Sequence, residues 1–382
     1  MAAFQEYFDE THQLVRDSVR RFVEREILPF IDEWEEAESF PRALYKKAGE
    51  AGILGIGFPE QFGGSHEGDL FAKIAASEEL IRCGSTGLVS ALCSLDIGLP
   101  PVLKWAKPHV RDRVVPEVLA GEKIISLAIT EPSGGSDVAN LKTRAVKEGD
   151  FYRVTGSKTF ITSGTRADYY TVAVRTGGEG FSGVSLLLIE KGTPGFTVGR
   201  KLKKMGWWCS DTAELFFDDC MVPAENLIGV ENMGFAGIMA NFQSERLALA
   251  LMANMTSQMA LEDALTWAKD RKAFGKPIGK FQVIKHRLAE MATQLEVSRE
   301  FTYRQAAKMA AGKSVIKEIS MAKNFATDVS DRITYDATQL LGGMGFMRES
   351  RVERLYRDNR ILSIGGGTRE IMNEIISKQM GL

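Results

Sequence analysis

The run SERLALALMANMTSQMALEDALTWAKDRK, from Ser244 to Lys272, decides the architecture. Leu247, Leu251, Met255 and Met259 recur every four residues, Leu261, Leu265 and Ala268 carry the pattern onward, and no proline interrupts it. That is the period of one helix face. A helix this long must bury its stripe against partners, so a bundle is predicted, with residues 281–312, 314–342 and 368–379 as the other members. Upstream the period changes to two. Between Lys123 and Gly229, Tyr170, Val172 and Val174 alternate with Thr171, Ala173 and Arg175, and Val184, Leu186 and Leu188 follow a Gly-rich turn; this is strand chemistry, and it closes around Asp218 to Pro223. Further back the helical period returns, with Val15, Val19, Phe22, Val23, Ile27 and Phe30 opposite Arg16, Asp17, Arg20 and Glu24. Pro59–Gly64 and Gly98–Pro101 read as loops between helices. The fold expected is α+β and multidomain: an N-terminal helical domain over 1–122, a central β-domain over 123–229 and a C-terminal four-helix bundle over 230–382.

Composition narrows the function classes. The chain has 382 residues, 26% charged and 44% hydrophobic, with a formal net charge of −2, so bulk electrostatics favour neither nucleic acid nor a membrane surface. Cys83, Cys93, Cys209 and Cys220 lack CxxC spacing, which fits a reducing compartment, and His12, His66, His109 and His286 are isolated, so no metal site is expected. Acidic residues among the first ten and no apolar leader argue against an export or transit signal. No apolar stretch is read as long enough to span a bilayer. A bacterial cytoplasmic protein, or a mature mitochondrial-matrix chain, is expected.

Two segments carry the chemistry. Gly365-Gly366-Gly367-Thr368 opens the last helix; three residues without Cβ before a helix N-terminus let backbone N–H groups approach a carbonyl or phosphate. No side chain there can take a proton, and the chain lacks a Gly-x-Ser-x-Gly elbow, so the base must come from elsewhere. Glu245 is the candidate, against the plainer reading of a helical carboxylate beside an exposed Arg246. Other motifs each carry two readings. Thr130-Glu131-Pro132-Ser133-Gly134-Gly135-Ser136 is either a Ser/Gly turn or a set of hydroxyl donors for a cofactor. Phe160 and Thr162, two apart on one strand face, are either core packing or a shelf for a flat ring. Arg271 in the basic end of the long helix answers the helix dipole or grips a phosphate. Gln339-Leu340-Leu341-Gly342-Gly343 is a helix stop or a close approach for a ligand.

In order along nearly the whole chain, these motifs resemble the acyl-CoA dehydrogenase family: Thr-Glu-Pro-x-x-Gly-Ser-Asp-Val at 130–138, Met205-Gly206-Trp207 through Thr212-Ala213-Glu214-Leu215, Arg-Lys-x-Phe-Gly-Lys at 271–276 and Gln-x-x-Gly-Gly at 339–343. The resemblance implies FAD, an acyl-CoA substrate, an electron-transferring flavoprotein as acceptor and a homo-oligomer, a homotetramer or homodimer. It implies that Leu127, Ile129, Thr130 and Ser136 lie along the flavin, with Phe160 and Thr162 on its ring and Thr368 and Glu370 completing the site. Arg271, Phe274, Gln282, Gln339 and Gly343 are implied to reach the FAD of a neighbouring subunit. Ser136, Gln243, Arg246, Gly366 and Gly367 are implied to touch substrate.

Many members of that family carry the catalytic Glu where this chain has Gly366, whereas the long-chain and isovaleryl-like subgroup carries it on the bundle helix, as in Glu245-Arg246-Leu247. The expected reaction is α,β-dehydrogenation of a medium, long or branched acyl-CoA to a trans-2-enoyl-CoA. Glu245 takes the α-proton and the Gly366 N–H supports the thioester oxygen as negative charge develops. Residues 91–101 are expected along the acyl tail. A flavin oxidase or monooxygenase on the same scaffold, and a non-catalytic flavoprotein subunit, are the competing readings.

Overall fold

Helix α1 (Glu10–Glu26) opens on a reciprocal cap: His12 N donates to Asp9 Oδ1 at 3.0 Å and Asp9 N donates to His12 Nδ1 at 2.9 Å. Residues 4–382 are described in this computed structural model. Helices α2 (Ile31–Glu36), α3 (Ala43–Glu50), α4 (Leu70–Ile81), α5 (Thr86–Leu92), α6 (Leu95–Trp105) and α7 (Pro108–Leu119) complete the N-terminal region. Val15, Val19, Phe22, Val23 and Ile27 are buried as the period implies, but Phe30 lies past the end of α1, exposed and stacked on Trp34.

Asp69 caps α4 by accepting from Phe71 N and Ala72 N, and its carboxylate also meets His12 Nε2 at 3.0 Å, so one side chain ties two helix starts together. Burial pushes the Asp69 pKa up, but the two amides and His12 outweigh it and the net shift is downward. A carboxyl lowered by folding stabilises above its unfolded pKa, and that contribution fades as pH falls through the folded value. Asp69→Ala is therefore expected to lose about 1 kcal/mol at neutral pH, the usual worth of an N-cap, and less in acid. Denaturant midpoints at the two pH values measure both.

Gly98–Pro101, expected as a loop, lies inside α6. Pro101 has no N–H for the carbonyl of Ile97 one turn back, and that oxygen accepts instead from Asn241 Nδ2 on the C-terminal side at 2.8 Å. The apolar length is also corrected. Thr86–Trp105 is 20 residues with mean hydropathy 1.5, enough to cross a bilayer by length and composition, yet 67% of it is buried inside the molecule, as two helices breaking at Cys93–Ser94.

The central sheet contains β1 (Ile125–Ala128), β2 (Arg144–Glu148), β3 (Phe151–Thr162), β4 (Tyr169–Arg175), β5 (Val184–Glu190), β6 (Phe196–Lys201), β7 (Thr212–Pro223) and β8 (Leu227–Ile228), in the order β6-β7-β3-β2-β4-β5-β8 with β1 parallel to β4. Only Arg144 and Arg175 pair β2 with β4, so an antiparallel half (β6, β7, β3, β2) joins a mixed half (β1, β4, β5, β8) at one point. The alternation in β4 suggests one buried face; both are buried. Thr171 Oγ1 donates to Gly98 O of α6, while Tyr170 packs edge-on against Phe196. Strand β3 carries a bulge against β7 between Lys158 and Ile161.

Helix α8 (Gly234–Asp270) is 37 residues long, and Leu247, Leu251, Met255 and Met259 are buried. A two-stranded hairpin, β9 (Lys272–Ala273) and β10 (Lys276–Pro277), leads to α9 (Gln282–Ala310), α10 (Ile316–Leu341), α11 (Arg351–Asn359) and α12 (Arg369–Gln379). Helix α10 packs on α8, α9, α11 and α12. Sequence periodicity missed α11. It buries Arg354, Arg357 and Asp358 by pairing them across domains: Arg357 reaches Glu35 of α2 at 3.0 Å, Arg354 donates to Gly84 O, Asp358 accepts from Trp207 N at 2.6 Å, and Trp207 Nε1 donates to Thr86 Oγ1. Arg357 and Arg348 lie over the Trp208 ring. All three regions of the chain meet at this junction.

Candidate active site

The tight turn before α12 is built from glycine because its backbone is left-handed, with φ of 64° at Gly366 and 98° at Gly367. Thr368 then caps the helix by accepting from Ile371 N. A Cβ on Gly366 would sit 2.6 Å from Leu249 Cδ1 and 3.6 Å from Glu245 Oε1, so the Glu245 carboxylate lies directly against the turn. Arg246 Nε donates to Gly366 O at 3.3 Å, and the buried Lys323 of α10 donates from Nζ to Gly367 O. Glu245 keeps part of its surface accessible but is set deep among heavy atoms. Burial raises its pKa, opposed by the positive charges of Arg246 and Lys323. Gln243, two residues before Glu245 on α8, leaves its buried Oε1 without a hydrogen-bond partner among the described residues.

A second group forms in the sheet domain. Thr159 N donates to Thr130 O at 2.9 Å and Ser126 Oγ donates to Thr162 O at 2.6 Å, which sets Leu127, Ile129 and Thr130 beside Phe160 and Thr162. The β3 bulge turns Phe160 outward. Its φ is 59° and the residue is 68% exposed, a large ring held off the core on a backbone that non-glycine residues avoid. Beneath it, Lys158 Nζ donates to Ile129 O and to Glu131 Oε1 at 2.9 Å, and Glu131 accepts from Lys142 N and Thr143 N. Both side chains of this pair are buried. Ser136 sits in the exposed loop that follows.

The third set lies at one end of the bundle. Arg271 stacks over Trp267, Phe274 is 96% exposed on the hairpin, and Gln282 begins α9. Gln339 and Gly343 close α10, and Arg287 of α9 faces Asp336 of α10 nearby. Among the described residues no hydrogen bond joins this set to the Phe160 shelf within the chain. Glu370 is exposed at the start of α12. Sequence reasoning missed Lys323, Lys158 and Leu249.

The chain thus presents a deep-set carboxylate against a glycine turn at the start of α12, and an aromatic ring standing outward from the sheet. The chain matches the acyl-CoA dehydrogenase N-terminal domain over residues 9–122, the middle domain over 126–220 and the C-terminal domain over 232–381. It is 40% identical to an acyl-CoA dehydrogenase of Bacillus subtilis, over 96% of this chain and 97% of that one. To the long-chain specific mitochondrial acyl-CoA dehydrogenase of Sus scrofa it is 39% identical, over 98% and 87%. A solved probable acyl-CoA dehydrogenase from Mycobacterium abscessus superposes with a TM-score of 0.96 at 51% identity, covering 98% of this chain and all of that one. The chain belongs to the acyl-CoA dehydrogenase family.

It is thus an oxidoreductase acting on acyl-CoA, with FAD as cofactor. The residues present fit that group: Phe160, exposed on its strained bulge, offers a flat apolar face, and the Leu127–Thr130 edge beside it supplies peptide and hydroxyl groups.

Proposed function

We propose that Glu245 is the base that removes the α-proton of a medium, long or branched acyl-CoA, giving a trans-2-enoyl-CoA. The observation that carries this is the Glu245 carboxylate lying against Gly366 where no side chain intervenes. Bound FAD supplies the hydride acceptor for the β-carbon. This chain's residues do the rest. The α-carbon is a weak acid in water, so proton removal needs the thioester oxygen stabilised as charge builds on it; the Gly366 N–H serves there, on a turn whose carbonyls Arg246 and Lys323 hold. Substrate entering the glycine turn expels water from around Glu245, which makes the carboxylate a stronger base. Gln243, with an unpartnered oxygen, and Arg246 bind the thioester end, together with Ser136 and Gly367.

Leu127, Ile129, Thr130, Ser136, Phe160, Thr162, Thr368 and Glu370 hold FAD from this chain. Arg271, Phe274, Gln282, Gln339 and Gly343 hold the FAD of a neighbouring copy in a homotetramer, a reading supported by their exposure and by their separation from this chain's own shelf. Electrons pass to an electron-transferring flavoprotein. Long-chain preference is supported by the Sus scrofa relative and by small residues in Ala91–Pro101 beside α8. Anaerobic titration of the purified yellow protein with straight and branched acyl-CoAs is expected to bleach the flavin fastest with long or branched chains. Fastest bleaching by a four-carbon thioester refutes the chain-length reading, and no bleaching by any thioester refutes the assigned base and reaction together.

A further inference from the structure

We propose that Lys323 is a positioning residue for the reaction: it anchors the Gly366–Gly367 turn through Gly367 O and keeps the facing Glu245 ionised. This rests on Glu245 as the base.

Lys323 sits inside the bundle, on the side of α10 that faces α8 and α12, and is fully buried. A buried ammonium needs strong compensation. Among the described residues the side-chain nitrogen donates to one group, the carbonyl of Gly367, a peptide oxygen with no charge. The negative charge that acts on it is Glu245. Burial pulls the Lys323 pKa down to about 8, with Glu245 pulling it up and Arg246 adding to the fall. The charged groups facing Glu245 are Arg246 from its own helix and Lys323 from α10. From α12, Arg369 is already paired with Asp328.

The two cations have divided tasks. Arg246 takes the Gly366 carbonyl and Lys323 the Gly367 carbonyl, so consecutive left-handed glycines are each tethered by their oxygen. With both oxygens held on the cation side, the turn keeps its open side towards Glu245 and the substrate. The same charges oppose the rise in Glu245 pKa that burial imposes. A carboxylate that was half protonated at working pH would lose about fivefold in ionised base for the first unit its pKa rose and about tenfold for each unit after it. Lys323 holds that loss off, and because it lies behind the turn it does so without touching substrate.

Three holoenzyme variants separate the tasks. Lys323→Met removes donor and charge, Lys323→Gln keeps a donor for Gly367 O without charge, and Lys323→Arg keeps charge. FAD content and thermal unfolding check that each is assembled. Two readouts follow Glu245. One is the acid limb of the anaerobic flavin-bleaching rate against pH. The other needs no turnover: the protonated-carboxyl infrared band that is missing when Glu245→Gln is added to the same background.

Lys323→Gln and Lys323→Met are expected to move both the limb and the band to higher pH, with Lys323→Arg close to wild type. Lys323→Gln holoenzyme whose band titrates at the wild-type pH overturns the proposal. Glu245→Gln distinguishes the two levels of failure. If that variant turns over normally, the base assignment is wrong. If it is silent while the lysine variants titrate as wild type, the lysine assignment alone is wrong.

Discussion

Glu245→Gln is expected to bleach its flavin with a good acyl-CoA about a hundred- to ten-thousand-fold more slowly than wild type, the usual loss when a positioned general base is removed. Its FAD content and visible spectrum should be unchanged, because the shelf at Phe160 and Thr162 belongs to the sheet and the glutamate to α8. Rapid mixing under anaerobic conditions reads the rate directly. Gln is close to Glu in shape, so its place against the Gly366 turn survives and the change reports proton transfer rather than packing. In wild type the sign with pH follows from burial. The raised carboxyl pKa means that rate falls as pH drops through that value, and Glu245→Gln should lose this limb altogether. Retention of near wild-type bleaching would leave Glu245 a structural residue.

The largest stability loss is expected from Lys158→Met, roughly 3–5 kcal/mol, because it leaves the buried Glu131 carboxylate without its cation and Ile129 O without a donor. Burial alone would push Glu131 up; Lys158 and the amides of Thr143 and Lys142 more than reverse this and hold it below the usual range. The sign with pH follows. In wild type the lowered carboxyl stabilises above its unfolded pKa and loses that contribution in acid, whereas in Lys158→Met burial is opposed by the amides alone and protonation relieves the fold. The gap between the two proteins should narrow as pH falls, and urea midpoints at neutral and mildly acidic pH measure it. On the proposed placement of FAD along Ile129 and Thr130, the variant should also lose FAD on gel filtration. An equal gap at both pH values would mean that the pair is not ionised in the fold.

What the chain revealed in advance depended on how far each residue's partner lay along it. The stripe Leu247, Leu251, Met255, Met259 needs only its own spacing to be read, and α8 follows from it. The Gly365–Gly367 turn and Glu245 were legible as separate segments, and their meeting was supplied by family resemblance rather than by pattern. Helix α11 was not legible. Arg354, Arg357 and Asp358 look like a solvated surface in sequence and are buried only because Glu35, Gly84 and Trp207 lie more than a hundred residues upstream. Gly98–Pro101 misled for the same reason, since the carbonyl that Pro101 leaves open is satisfied by Asn241. Lys323 reads as one more lysine on an amphipathic helix, and nothing local says that its nitrogen points at a glycine carbonyl. Phe160 and Thr162 were paired by a rule of alternation, but what turns Phe160 outward is a bulge that single-strand patterning does not contain.

The junction at α11 has a consequence for the tempo of the reaction. On the proposed assignment the proton would leave towards a carboxylate on the bundle and the hydride towards a ring seated on the sheet, so the two departures would depend on the angle those domains keep. Trp207, Asp358, Arg357, Glu35 and Thr86 hold that angle without contacting Glu245 or Phe160. Slack in that junction is expected to show as slower bond cleavage in a protein that still binds cofactor and substrate.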